Sequence, residues 1–309
     1  MTNLLQFGNF LNIVKMRLFV STKCDIMTGW IIKIKGDGDM KLGFIGAGNM
    51  GGAIIEGIVK AGIYSASDIV ASDLNGDLLH SFVQRLGIGV AQNNRELAEE
   101  CDVIFLCVKP IYIRDVVVDI GEIVMDEKLI VSVMAGKPLA QLHKDFDNLS
   151  LKFIRAMPNT PALIGRGMTA ICHLHNIEKS KIDMVCKIFE SIGEVKVMNE
   201  SYFDAFIGVA GSSPAYAFMF IEAMADAGVM HGLTRTDAIK FAANAVAGAA
   251  QMVVETGIHP AVLRDNVASP GGTTIVAIAE LEAQGFRNAI IKAVDACVKK
   301  SVVMNNFDN

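Results

Sequence analysis

The sequence predicts an α/β fold, a doubly wound and mostly parallel (Rossmann-like) sheet followed by an all-helical region. Three observations carry this. A short apolar run, Leu42 to Ile45, enters Gly46-x-Gly48-x-x-Gly51 and then a helical spacing from Ala53 to Lys60. Behind it, strand-sized apolar runs alternate with helical patterns as far as Val197. Beyond residue 201 the strand signals stop, and every segment reads as helix.

Each glycine of the first turn has its own task. Gly46 makes the tight turn off the strand, Gly48 lets the main chain approach a pyrophosphate, and Gly51 brings the helix close to the sheet. Together with Ala47, Asn49 and Met50 they form a turn whose unpaired helix-start N–H groups would face phosphates, helped by the helix dipole. The second strand ends in Ser72-Asp73, 22 residues after Gly51. A carboxylate there can accept hydrogen bonds from an adenosine ribose and would repel a 2′-phosphate. Leu74 and Asn75 supply no cation beside it, so Asp73 favours NADH over NADPH.

The remaining elements follow in order. The patterns predict a strand over 68–72, helices over 76–86 and 94–100, a strand over 103–108, a helix over 111–120 and a strand over 129–134. A helix over 139–146, strands over 152–156 and 168–173, a helix over 179–192 and a strand over 194–197 complete the first region. Val103 to Val108 and Leu129 to Val133 are nearly all apolar, as central parallel strands covered on both faces should be. Helices are then predicted over 205–209, 213–231, 235–257, 259–267, 273–283 and 286–303. The second and third of these carry so little polar surface that they should be buried all round, against a second subunit.

The chain therefore divides into an extension (1–39), a dinucleotide-binding domain (40–201) and a helical substrate and dimerisation domain (202–309). In the extension, the apolar stretch from Leu4 to Val20 is broken by Lys15 and Arg17 and lacks a small-residue cleavage site. It matches neither a signal peptide nor a membrane anchor, and Met40 reads as the functional start.

Composition limits the partners. With 28 basic and 33 acidic residues the net charge is −5, which argues against a nucleic-acid footprint, and the apolar runs are too short for a membrane helix. Six cysteines without a C-x-x-C spacing read as reduced thiols, pointing to the cytoplasm. His173 and His175 would share a strand face, but two ligands are too few for a metal.

Ligands of a doubly wound sheet bind beyond the carboxyl ends of the strands. Cys107-Val108-Lys109-Pro110 and Val133-Met134-Ala135 lie there. Lys109 either faces the crevice or snorkels off a strand end. A second concentrated signal is Ser269-Pro270-Gly271-Gly272-Thr273-Thr274, an open turn before a helix. It reads as a carboxylate or phosphate site on free N–H groups, or as an ordinary N-cap by Thr273 or Thr274. Gly211 to Tyr216 is a similar helix entry, with Ser212 or Ser213 as cap.

Gly43-Phe-Ile-Gly-Ala-Gly-Asn-Met-Gly51, Val108-Lys-Pro110, Arg155-Ala-Met-Pro-Asn-Thr-Pro161, Gly211-Ser-Ser-Pro-Ala-Tyr216 and Ser269-Pro-Gly-Gly-Thr-Thr274, in this order, resemble the pyrroline-5-carboxylate reductase family. The resemblance spans Met40 to about Lys300. It implies reduction of 1-pyrroline-5-carboxylate to L-proline by NADPH or NADH, in a homodimer or higher homo-oligomer with interlocked helical domains. It further implies that Gly46 to Gly51 hold the pyrophosphate and Asn94 the ribose-phosphate region, while Cys107 to Pro110 and Val133 to Ala135 line the nicotinamide. Ser269, Gly271, Gly272, Thr273 and Thr274 would hold the substrate carboxylate, with the Thr274 hydroxyl near the ring nitrogen as the catalytic, orienting group.

Three positions depart from the family: Ser213 where Gly-Ser-Gly-Pro is frequent, Ile207 in place of a threonine, and Asp73 in place of a phosphate-tolerant residue. A beta-hydroxyacid dehydrogenase shares the plan but needs a lysine in the first long helix of its second domain, and none stands between Lys196 and Lys240. A non-catalytic nucleotide-binding relative would have no need of the Ser269–Thr274 turn.

Overall fold

Four central strands of four residues each are buried along their whole length, which requires cover on both faces. The computed structural model describes residues 40–125 and 127–306; the predicted extension, with Cys24, lies outside them. In chain order the described elements are β1 (Leu42–Ile45), α1 (Asn49–Ala61), β2 (Ile69–Ser72), α2 (Gly76–Leu86), β3 (Gly89–Val90), α3 (Asn94–Glu100), β4 (Val103–Leu106), α4 (Ile113–Ile120), β5 (Leu129–Ser132) and α5 (Leu139–Asp145). Then come β6 (Lys152–Met157), β7 (Gly167–His173), α6 (Lys179–Glu190) and β8 (Gly193–Val197), followed by α7 (Phe203–Phe206), α8 (Ser213–Met230), α9 (Arg235–Thr256), α10 (Pro260–Val267), α11 (Thr273–Ala283) and α12 (Phe286–Asn306).

The strands form one sheet in the order β3-β2-β1-β4-β5-β6-β7-β8. All neighbours are parallel except β6 and β7, which run antiparallel. The order reverses at β1, which has β2 on one side and β4 on the other. That reversal opens a crevice at the carboxyl ends of these strands, directly above Gly46.

Strand alternation feeds two cores. Leu42, Phe44, Phe105, Val131 and Ile154 join Ile54, Ile55 and Ile58 of α1 and Val185, Ile188 and Phe189 of α6 on one face. Ile45, Ile104, Leu106, Ile130 and Phe153 join Leu97, Val116, Leu142 and Phe203 on the other. Phe44 and Phe105 stack at 4.5 Å between ring centroids, locking β1 to β4.

The structure departs from the sequence expectations in three places. β3 escapes prediction because two residues show no periodicity. β4 and β5 stop at Leu106 and Ser132, so the last two residues predicted for each strand belong to the loops at the crevice. The Gly211 entry is not a capped turn: α7 runs into a π-turn at Ile207–Gly211 and on into α8, and Ser212 keeps a right-handed helical backbone without a side-chain cap. Gly208 in this segment allows close packing. A Cβ there would press on Val294 and Val298 of α12 at 3.0–3.1 Å, so α12 lies close along this segment.

The burial of α8 and α9 expected against a second subunit is, accordingly, not reached within one chain. The two helices pack on each other, yet Phe218 is 64% exposed, Met219 69% and Phe241 55%. The continuous helical stretch Glu200–Met230 is even long and apolar enough, by length and composition alone, to cross a membrane, although no single sequence run suggested it.

Candidate functional site

Of the predicted residues, the structure assembles the crevice set around Gly46. Gly46 sits at φ +94°, and a Cβ on it would lie 2.9 Å from the Cys107 carbonyl carbon, so the tight turn requires glycine. A Cβ on Gly51 would overlap the Gly46 carbonyl oxygen and meet the Cys107 side chain, which is the close approach of helix to strand. Gly48 differs from both. Among the described residues nothing beyond its own helix and chain neighbours lies within 4 Å of a Cβ built on it, which leaves its main chain open to a ligand the size of a pyrophosphate. Gly48 also begins α1 with no side-chain cap, and no acid stands in the first turn, leaving N–H groups for an anion.

Asp73 serves this turn directly. Its carboxylate accepts from the Ala47 N–H at 2.7 Å and from the Asn75 N–H at 2.9 Å, tying the end of β2 to the turn. Beside it the Ser72 hydroxyl donates to Asn94 Oδ1 at 2.9 Å, and the Asn94 amide donates to Asp119 at 2.8 Å. Asn93, not Asn94, caps α3. Asp119 escaped the sequence reading because it is one exposed acid on the solvent side of α4, with no local signal.

The two crevice loops complete the near side. Met134 is buried and anchors its loop, whereas Lys109 and Ala135 are exposed. Among the described residues Lys109 makes no ion pair, and its exposed side chain fits both readings, facing the crevice or snorkelling off the strand end. Burial raises the Cys107 thiol far above its usual range and raises Cys101 and Cys172 to about 12, so these cysteines pack as neutral groups. A cavity of about 400 Å³ opens beside the loops, lined by Pro110, Ile113, Ala135, Gly136 and Lys137, with Met304 of α12 at its rim. Lys137 is nearly buried and paired with Asp145 at 3.2 Å.

The second turn keeps its predicted form but not its predicted cap. Gly272 is the N-cap of α11 and has no side-chain bond, while Thr273 and Thr274 occupy the first helical positions, so the capping alternative fails. Gly271 takes φ +67° with open space around it, and the Gly272 N–H donates to the Ser269 carbonyl at 3.0 Å. The turn faces solvent, its hydrogen bonding is local, and α11 packs on α12 and on no strand to a comparable extent. Among the described residues, no backbone hydrogen bond joins Ser269–Thr274 to the crevice loops.

Two motifs serve to join the sheet to the helices. Arg155, 1% exposed, pairs with Glu200 at 2.8 Å and lies 4.7 Å from the Phe203 ring centroid. The same Glu200 carboxylate accepts the Leu139 N–H. Asn159 donates to the Ala210 carbonyl beside the π-turn and accepts the Met168 N–H, both at 2.9 Å.

Comparison with known proteins fits both halves. Residues 200–304 match the model described as pyrroline-5-carboxylate reductase dimerisation, and residues 41–136 match NADP oxidoreductase coenzyme F420-dependent. The pyrroline-5-carboxylate reductase of Escherichia coli K12 is 44% identical over 85% of this chain and 97% of its own length. The chain belongs to the pyrroline-5-carboxylate reductase family. The soybean (Glycine max) pyrroline-5-carboxylate reductase is 40% identical over 84% of this chain and 94% of its own. The solved reductase of Coxiella burnetii superimposes with TM-score 0.81 at 31% identity, covering 87% of this chain and 99% of that one. That of Plasmodium falciparum, with NADP bound, gives 0.78 at 31% identity and the same coverage.

Proposed function

We propose that this chain reduces 1-pyrroline-5-carboxylate to L-proline with a hydride from NADPH or NADH, the last step of proline biosynthesis. The observation that carries this is the 44% identity to the E. coli reductase along nearly its whole length, with both functional turns intact. The beta-hydroxyacid dehydrogenase alternative is not favoured, since α8 carries no lysine.

The glycine turn has the shape a dinucleotide needs: room over Gly48, free N–H groups at the start of α1, and no side chain in the way. In this reading Gly46 to Gly51 hold the pyrophosphate, Ser72, Asp73 and Asn94 face the adenosine ribose, and Cys107 to Pro110 with Val133 to Ala135 border the nicotinamide. The bound cofactor supplies the hydride. The protein's part is placement: the main-chain N–H groups of Ser269 to Thr274 neutralise the substrate carboxylate, and Thr274 orients the ring nitrogen. The C=N bond takes the hydride at carbon, and a protonated iminium needs no strong protein acid; neither turn contains a histidine or carboxylate for that purpose.

The same reading requires a second copy. The exposure of α8 and α9 and the separation of the two turns along the fold are both accounted for if the helices pair in a homodimer or larger homo-oligomer, and one chain's Ser269–Thr274 completes its partner's crevice. The division into a dinucleotide domain and a helical domain near residue 201, and a cytoplasmic location, belong to this proposal. Purified protein given 1-pyrroline-5-carboxylate and either reduced nucleotide should consume the nucleotide and form proline. Absence of turnover with both would reduce it to a nucleotide-binding relative.

A further inference from the structure

Four hydrogen-bond donors at the adenosine end of the crevice are already engaged. They stand near the end of β2: the Ala47 and Asn75 main-chain N–H groups, the Ser72 hydroxyl and one N–H of the Asn94 amide. The first two are bound by Asp73. The Ser72 proton goes to Asn94, and an Asn94 N–H goes to Asp119. The direction of that relay is set at its far end. A carboxylate can only accept, so Asp119 must face the Asn94 NH₂ group; Asn94 Oδ1 then faces Ser72, which has to donate.

We infer that Asp119, acting through Asn94 and Ser72, is a positioning residue that selects NADH over NADPH. The inference rests on the dinucleotide reading of the crevice. A ribose diol brings two O–H donors and needs acceptors, which the remaining lone pairs of Asp73 and Ser72 supply. A 2′-phosphate brings only acceptors and needs donors or cations. Here it meets the charge of Asp73, and the loop that follows, Leu74-Asn75-Gly76-Asp77, contains no arginine or lysine. Asp73 supplies the repulsion, while Asp119 keeps one Asn94 N–H and the Ser72 proton turned away.

Affinities for NADH and NADPH, read from the fluorescence of each reduced nicotinamide with the full chain, test this without requiring turnover. Wild type should bind NADH more tightly. Asp119→Asn offers Asn94 both a donor and an acceptor, letting its amide turn over and Ser72 release its proton. The NADH-to-NADPH affinity ratio should then fall about fivefold, the scale of one redirected hydrogen bond. Asp119→Glu keeps the acceptor and should keep the ratio. A purely structural role would weaken both nucleotides alike. An unmoved ratio in Asp119→Asn, or tighter NADPH binding by wild type, would overturn the inference. The expected ratios in a protein that fails to reduce 1-pyrroline-5-carboxylate would uphold it and remove the proposed reaction instead.

Discussion

The sheet and the helices after it dispose of their apolar side chains in opposite ways. Phe44, Phe105 and Phe153 have no exposed surface, each held between strands and the helices of its own chain. Phe218, Met219 and Phe241 are equally apolar and more than half exposed. At roughly 25 cal/mol for each Å² of apolar surface removed from water, such side chains form a reserve of association energy that one chain leaves unused. The sheet is finished by its own sequence, whereas the helical region is written for a contact with another copy. The two turns of the proposed site follow the same division, with the open glycine turn on the finished half and the open Ser269–Thr274 turn on the other.

The largest effect should come from spoiling the unfinished half. Phe241→Asp places a charge on the exposed face of α9 and should yield a folded monomer by sedimentation, with turnover down at least roughly a hundredfold and NADH binding kept. A fully active monomer would show that one chain assembles the whole site. Gly51→Val is the counterpart in the finished half. Its side chain would collide with the Gly46 carbonyl and Cys107, so nucleotide affinity should fall by about two orders of magnitude while the oligomer persists. Between the halves, Glu200→Gln strands the buried Arg155 guanidinium and should cost about 3 kcal/mol of stability in denaturant unfolding. Adding Arg155→Met should recover most of that loss; no recovery would mean the pair is not the link between sheet and helices.

How much of this was legible in the sequence divides along the same line. The fold class, the order of the strands' apolar runs and the steric tasks of Gly46 and Gly51 could be read because they depend on local periodicity and on steric demands within a few residues. Asp73 was legible as an acid closing a strand, but its bonds to Ala47 and Asn75 were not, since they depend on how the turn folds back over β2. Asp119 had no signal at all: its partner Asn94 is 25 residues away, and nothing in Val116 to Ile120 marks one acid among solvent-facing positions. The π-turn was misread as a capped break because glycine, two serines and proline usually punctuate helices. Here the segment stays helical, with Gly208 letting α12 pack close beside it. Apolarity predicted that α8 and α9 would be covered by a second subunit, and the exposure of Phe218, Met219 and Phe241 in one chain agrees with that.

The smallest expected effect is the one that best separates binding from orientation. Thr274 lies in the first turn of α11, half-buried, and its hydroxyl caps nothing, so its removal should leave the helix start intact. In the completed site the main-chain N–H groups would still hold the substrate carboxylate, and the distant glycine turn would still hold the nucleotide. Thr274→Ala should therefore lower kcat about tenfold, the loss of one orienting hydrogen bond of about 1.4 kcal/mol, with substrate KM changed little and nucleotide affinity unchanged. Thr274→Ser keeps the hydroxyl and should restore most of the rate. If Thr274→Ala instead raised KM at constant kcat, the hydroxyl would serve binding alone, and orientation of the ring would fall to the main-chain N–H groups of Gly272 and Thr273.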